Sequence, residues 1–174
     1  MKRADLARYE AALRENFNYD PLRGLFTWRR RVARCVQIGS VAGTLHKRIG
    51  YVYLAVTLDG KTRSFFAHRV AWLLATNEWP SGVIDHINGV KSDNRIENLR
   101  DTSQAVNAQN VRRAFASNKS SGLLGAHYHS AKGLWAAEIS INGKNKHLGY
   151  FASAEEAHKA YLASKAIHHP EAWI

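Results

Sequence analysis

Residues 85 and 86 are an aspartate and a histidine, and amides crowd the chain just after them. In "VIDHINGVKSDNRIENLRDTSQAVNAQN", residues 83–110, the pair Asp85 and His86 is followed by Asn88, Asn94, Asn98, Asn107 and Asn110. Asp85 offers a hard, charged oxygen of the kind Mg²⁺ prefers, and that ion needs few protein ligands when water and substrate oxygens complete its shell. His86 is the group in this stretch able to take a proton near neutral pH. An asparagine adds a neutral oxygen ligand, or a hydrogen bond that fixes its neighbours. Together these types suit a hydrolysis in which water is deprotonated while a cation offsets the charge that develops. An Asp-His pair by itself more often does nothing beyond leading into a turn, here Asn88-Gly89.

Charge points to the kind of partner. Among 174 residues, 25 Lys and Arg face 14 Asp and Glu, a formal net charge of +11 spread over the whole length. Such an excess favours a polyanion, either nucleic acid or an anionic membrane surface. A membrane surface calls for a strongly amphipathic basic helix, whereas these basic residues fall mostly among strand and turn patterns, so nucleic acid is expected and a membrane is not. No apolar run is long enough to span a bilayer, and "MKRADLARYEAALRENF" lacks the apolar centre of a signal peptide, which leads us to expect a cytoplasmic protein. The single cysteine, Cys35, excludes an internal disulfide and a zinc site built from several thiolates. The length allows one large domain or two small ones.

The elements that must position Asp85 and His86 follow from periodicity. Leu6, Tyr9, Leu13 and Phe17 predict a helix over 4–17, and "YDPLRGLFTW" predicts a turn and a short strand punctuated by Pro21 and Gly24. Arg29, Arg30 and Arg31 beside Trp28 are either a solvated face or phosphate contacts. "GYVYLAVTLDGKTRSFFAHR" predicts a hairpin turning at Asp59-Gly60, with Lys61 and Arg63 on one face. "HRVAWLLATNEWP" predicts a core helix with Val70, Leu73 and Leu74 inward, ended by Pro80. "GVIDHI" is then a strand, followed by a polar loop, a strand "NLRD", and a helix capped by Thr102 or Ser103 that carries Asn107 and Asn110.

The basic, small-residue segment 112–121 reads as a linker, with Arg112 and Arg113 available to the same polyanion. Beyond it, "LLGAHYHS", "LWAAEISI" and "KNKHLGYF" predict three strands joined at Lys132-Gly133 and Asn142-Gly143. A helix capped by Ser153 with Glu156 closes the chain, and Ala157, Ala160, Tyr161, Ser164 and Ile167 are expected on the face it turns to the sheet.

The order of these submotifs, "HR", "IDHINGVKSDNRIENLR" and "NAQN" within residues 67–110, closely resembles the HNH endonucleases of phage and intron origin. That resemblance implies an α+β chain whose ββα-metal nuclease domain, with its β-hairpin-rich basic lead-in, occupies residues 1–111. It implies Asp85 as metal ligand, His86 as general base and Asn98 as the asparagine that orients the His86 strand and ring. Asn107 would be the second ligand, in place of the family's final histidine, and Asn110 its alternative. An amide ligand favours one Mg²⁺ or Mn²⁺ over zinc or nickel. His68 is an accessory position, either packed beside the site or holding the leaving phosphate, and Arg95 is either loop-forming or a phosphate contact. Residues 122–174 resemble the APETALA-type DNA-binding domain, a three-stranded sheet backed by one helix. By position the contacts implied are His127, Tyr128, His129, Lys132, Glu138, Ser140, Lys144, Asn145 and His147, in place of that family's arginines. The function expected is that of a metal-dependent DNA endonuclease acting on double-stranded DNA, nicking as a monomer or cutting both strands as a weak dimer. The rival is a DNA-binding regulator on an inactive nuclease scaffold.

Overall fold

The computed structural model describes residues 3–109, 118 and 120–169, and of residues 3–5, 105, 108 and 109 only the backbone. The chain divides into two compact units, Met1–Thr102 and Ser103–Ile174.

In the first unit, helix α1 (Arg3–Asn16) turns Ala12 and Leu13 inward, and Leu13 is fully buried. Phe17, expected to end that helix, instead begins strand β1 (Phe17–Asp20), which pairs antiparallel with β2 (Leu25–Trp28). The Asp20 carboxylate accepts from the N–H groups of Leu22 and Arg23 at 3.0 and 3.1 Å, and so closes the turn between the two strands. Strand β3 (Val41–Ala42) completes this small sheet. A second sheet contains β4 (Thr44–Leu45), β5 (Val52–Leu58) and β6 (Lys61–Phe66). Its hairpin turns where expected: Asp59 and Gly60 have φ of 50° and 72°, as a type I′ turn requires.

Helix α2 (Ala67–Thr76) follows β6 directly, with Val70 and Leu73 fully buried against Leu54, Val56 and Phe26. Each such side chain contributes roughly 1.5–3 kcal/mol. Asn77 ends the helix ahead of Pro80, taking a left-handed φ of 64° from which its N–H reaches the Leu73 carbonyl. Strand β7 (Val83–His86) then pairs antiparallel with β8 (Leu99–Thr102), and a single 3₁₀ turn, Ile96–Asn98, leads into β8.

The second unit starts with helix α3 (Gln104–Gln109), where Ser103 Oγ accepts from Val106 N–H at 3.2 Å, so Ser103 is the cap. Strands β9 (Ala126–His129), β10 (Leu134–Ile141) and β11 (Lys144–Phe151) form an antiparallel sheet with β10 central and a bulge at Ala137/Glu138. Helix α4 (Ala154–His168) packs on it through Ala157 and Ala160, against Ala126, Ala137, Trp135, Leu148 and Phe151. Ser153 Oγ accepts from Glu156 N–H, and the Glu156 carboxylate accepts from Ala152 N–H, so both partners of the expected cap are engaged. The inward stripe departs from expectation at its C-terminal end: Ile167 is 74% exposed and Lys165 is buried instead. Position 165 follows 154, 157 and 161 around the helix, so the stripe drifts away from 164 and 167. Most of the segment read as a linker lies outside the described residues, as do Asn110, Arg112 and Arg113.

Candidate active site

Asp85 and His86 end β7, and the ladder sets what faces them. Asp85 lies opposite Arg100 and His86 opposite Leu99. Neighbours on a strand normally point to opposite faces, yet both side chains here are buried, Asp85 at 8% exposure and His86 at 5%. The Asp85 carboxylate accepts from Arg100 Nη2 at 2.9 Å. Just past His86 the chain turns back: the His86 carbonyl accepts from Gly89 N–H at 2.8 Å, and Ile87 N–H reaches the Asn98 carbonyl.

Asn98 holds this loop from inside. Its buried side-chain oxygen accepts from Asn88 N–H, and its amide donates to the Asp93 carbonyl, both at 2.8 Å. Asn88 behaves as a turn former, accepting from Val90 N–H and donating to Asp93. Arg95 is loop-forming: its guanidinium takes both oxygens of Asp93 at 2.8–2.9 Å and reaches Glu97 as well. Those hydrogen bonds pull the Asp93 carboxyl down to about 2.

Asn94 does more than shape the loop. It is 2% exposed and lies beside His86. The first hairpin clamps it from behind. Tyr19 donates to the Asn94 carbonyl at 2.7 Å, and Ile96 N–H donates to Pro21. Gly24, with φ +67°, passes so close that a Cβ there would overlap the backbone of Asn94 and Arg95. No local pattern marks these contacts in the sequence, because they join residues 70 to 75 apart.

The His86 imidazole is enclosed by rings. His68, on the first turn of α2, meets it edge-on with centroids 5.1 Å apart, and Tyr51 lies 5.9 Å away. His68 is packed, at 7% exposure, and burial pushes its pKa down to about 3, with the His86 and Arg69 charges adding to the effect. Burial also lowers the His86 pKa, and Lys91 acts the same way; Asn94, Asp85 and Asp93 oppose them. Both imidazoles are therefore neutral at pH 7. His86 Nε2 is buried and has no partner among the described residues, an arrangement seldom left without a purpose.

The remaining expected residues are dispersed. Asn107 lies on α3, in the second unit, so the first unit itself brings together Asp85, His86, Asn98 and His68. Among the described residues, no group of three His, Cys, Asp or Glu side chains converges as a metal cluster. Arg29, Arg30 and Arg31 are exposed, and donate to the Arg14 carbonyl, to Glu15 and to the Arg34 carbonyl respectively. Lys61 and Arg63 do share a face, but it is the face of Val56, and the Arg63 guanidinium lies over the Tyr9 ring of α1.

In the second unit, the sheet face away from α4 carries His127, His129, Glu138, Ser140, Asn145 and His147, by their cross-strand pairing with Leu134, Ala136 and one another. Tyr128 pairs with Trp135 and contacts its ring, so it belongs to the other face, and Lys144 lies opposite Ile141. Alternation along β9 separates Tyr128 from the two histidines, a consequence the list of expected contacts overlooked. Tyr150, absent from that list, is the centre of the outer face. The rings of His129 and His147 approach it at 5.3 and 4.4 Å, and Lys132 Nζ lies 4.0 Å from its centroid.

Comparison with known proteins finds one family match over the segment that carries Asp85 and His86. Residues 65–109 match the family model described as HNH endonuclease, a span running from the end of β6 through α3. Among solved structures, the chain described as "DNA binding and cleavage by the HNH homing endonuclease I-HmuI" is similar with a TM-score of 0.44 and 18% identity. The alignment covers 88% of this chain and 85% of that one. No curated protein matches.

Proposed function

We propose that this protein is a DNA endonuclease of the HNH type that hydrolyses phosphodiester bonds at His86. One observation carries the reading: a neutral imidazole, buried and ring-packed, with Nε2 unpartnered and beside a buried carboxylate, within the segment that matches the HNH endonuclease model. The neutral ring takes a proton from water as the water oxygen attacks phosphorus. The bond from phosphorus to the 3′ oxygen breaks, leaving a 5′-phosphate and a 3′ oxygen that takes a proton from solvent. Asn98 and the Gly89 turn fix the His86 backbone, and His68 and Tyr51 fix the plane of its ring.

The donors available suit a hard divalent cation, Mg²⁺ or Mn²⁺. Asp85 supplies a buried anionic oxygen, and no histidine or thiolate cluster is present among the described residues to favour zinc. Asp85 would be the ligand that the first unit supplies to the ion. Once bound, it supplies positive charge to the phosphate and the leaving oxygen. Arg100, paired with Asp85, adds fixed positive charge to the same neighbourhood. The outer face of the β9–β11 sheet is the DNA-contacting surface, in the manner of an APETALA-type module, with Lys132, His129, His147 and Tyr150 as its core. One site per chain makes the protein a nicking enzyme as a monomer.

The test is supercoiled plasmid incubated with Mg²⁺, with Mn²⁺ and with chelator. Open circles should accumulate only with metal, and His86→Ala should slow nicking by at least about a hundredfold. A plasmid left intact under every metal, or nicked equally fast by His86→Ala, would overturn the assignment.

A further inference from the structure

One cation beside the imidazole is fixed in place without being neutralised. Lys91 is exposed, and its ammonium lies 4.9 Å from the centroid of the Tyr51 ring, which in turn packs on His68 and His86. Its aliphatic stem runs along Gly50, close enough that a Cβ there would lie 3.7 and 3.8 Å from Lys91 Cδ and Cβ. The platform is rigid. His46 N–H donates to the Tyr51 carbonyl at 2.8 Å, Gly50 N–H donates back to the His46 carbonyl at 2.8 Å, and Tyr51 meets Phe66 edge-on.

Other basic residues of the same region are committed. Arg95 binds Asp93 and Glu97, and Arg100 binds Asp85. Lys91 pairs with no described carboxylate, and an aromatic face holds a lysine in place without cancelling its charge. Tyr51 and Gly50 lie outside residues 65–109, so this arrangement comes from the chain's own N-terminal sheets rather than from the segment matching the HNH model.

We propose that Lys91, seated on Tyr51, is the phosphate-binding residue that docks the DNA backbone beside His86, and that Tyr51 is its positioning residue. The proposal rests on reading the His86 pocket as the cleavage site. Lys91 takes a non-bridging oxygen of a backbone phosphate, which sets the register of the strand without reading its sequence. Tyr51 serves two neighbours at once, steadying the imidazole on one side and the ammonium on the other.

The test measures binding of uncut duplex in chelator as a function of salt, and steady-state nicking in Mg²⁺, for Lys91→Ala, Lys91→Arg, Tyr51→Leu and Tyr51→Phe. Lys91→Ala should weaken duplex binding and raise KM about tenfold, change kcat by less than about threefold, and flatten the log–log salt slope by about one, as expected for one lost phosphate contact. Lys91→Arg should restore most of the affinity, Tyr51→Leu should reproduce Lys91→Ala in the salt slope, and Tyr51→Phe, which keeps the ring, should keep the parent's salt slope. A salt slope unchanged in Lys91→Ala, or a Tyr51→Leu variant that keeps the full slope, would overturn the inference. His86→Ala separates this outcome from the activity itself: if it still nicks at full rate, the endonuclease reading falls, whereas the salt slope, taken without cleavage, judges Lys91 by itself.

Discussion

Between Ile87 and Asn98 the polar side chains are largely committed to the loop's own backbone or to one another, whereas on the outer face of the β9–β11 sheet they meet mainly through ring and cation contacts. Asn98 alone satisfies backbone groups on both sides of its loop, while Tyr150 gathers two imidazoles and an ammonium with no hydrogen bond of its own among those described. On the proposed function, the difference follows from what each surface would have to do. Chemistry tolerates displacements well under an ångström, so its loop is over-determined by directional bonds. Reading a groove would require side chains that can settle on a partner, and ring and cation contacts tie side chains less tightly than directional hydrogen bonds to backbone do.

The contrast can be broken at several points. Acid should strike the first unit hardest. His68 has a pKa of 6.5 in the unfolded chain and about 3 in the fold, so the unfolded state binds the extra proton between those values. Stability is complete above pH 6.5 and falls by about 1.4 kcal/mol per pH unit below it, down to about pH 3. Chemical denaturation from pH 7 to 4 should show this loss, and His68→Phe should remove its share; an equally steep profile in that variant would place the titration elsewhere.

Next in size is Asn98→Ala. It strands a buried N–H and a buried carbonyl, costing about 2–4 kcal/mol in urea unfolding, and it should abolish nicking even in the fraction that stays folded. Tyr150→Ala tests the other side of the comparison. Removing the ring that gathers Lys132, His129 and His147 should weaken duplex binding about tenfold by loosening these contacts, with the melting temperature and the nicking rate at saturating DNA little changed. Should that variant unfold instead, Tyr150 is core and the sheet face is not adaptable in the sense argued. The smallest effect, about 1 kcal/mol in thermal or urea unfolding, is expected from Ser153→Ala, which removes one cap from α4.

What the residues disclose in advance depends on how local the cause is. The Asp59-Gly60 hairpin, the Ser153 cap and strand β10 each arise within a few neighbouring residues, and each was legible. Strands β3 and β4 are two residues long, too short to carry any period. Asn94 looks like every other amide of its loop; only Tyr19 and Gly24, far away along the chain, bury it beside His86. Tyr51 likewise reads as one aromatic of a hairpin until the second sheet carries it to the imidazole. Of the site, then, the motif and its immediate wiring were readable, while the walls of the pocket were not, because tertiary contacts build them.

Gly24 and Tyr19 also tie the working loop to the order in which the protein can assemble. Pairs such as Tyr19 with Asn94 close a long stretch of chain, and contacts of that separation form late because the loop-closure entropy comes due before they give any return. The His86 pocket is thus finished near the end of folding of its unit, after the local hairpins have formed. A collapsed intermediate would carry Asp85 and His86 with their loop still unclamped, so the arrangement around His86 is complete only once its scaffold is.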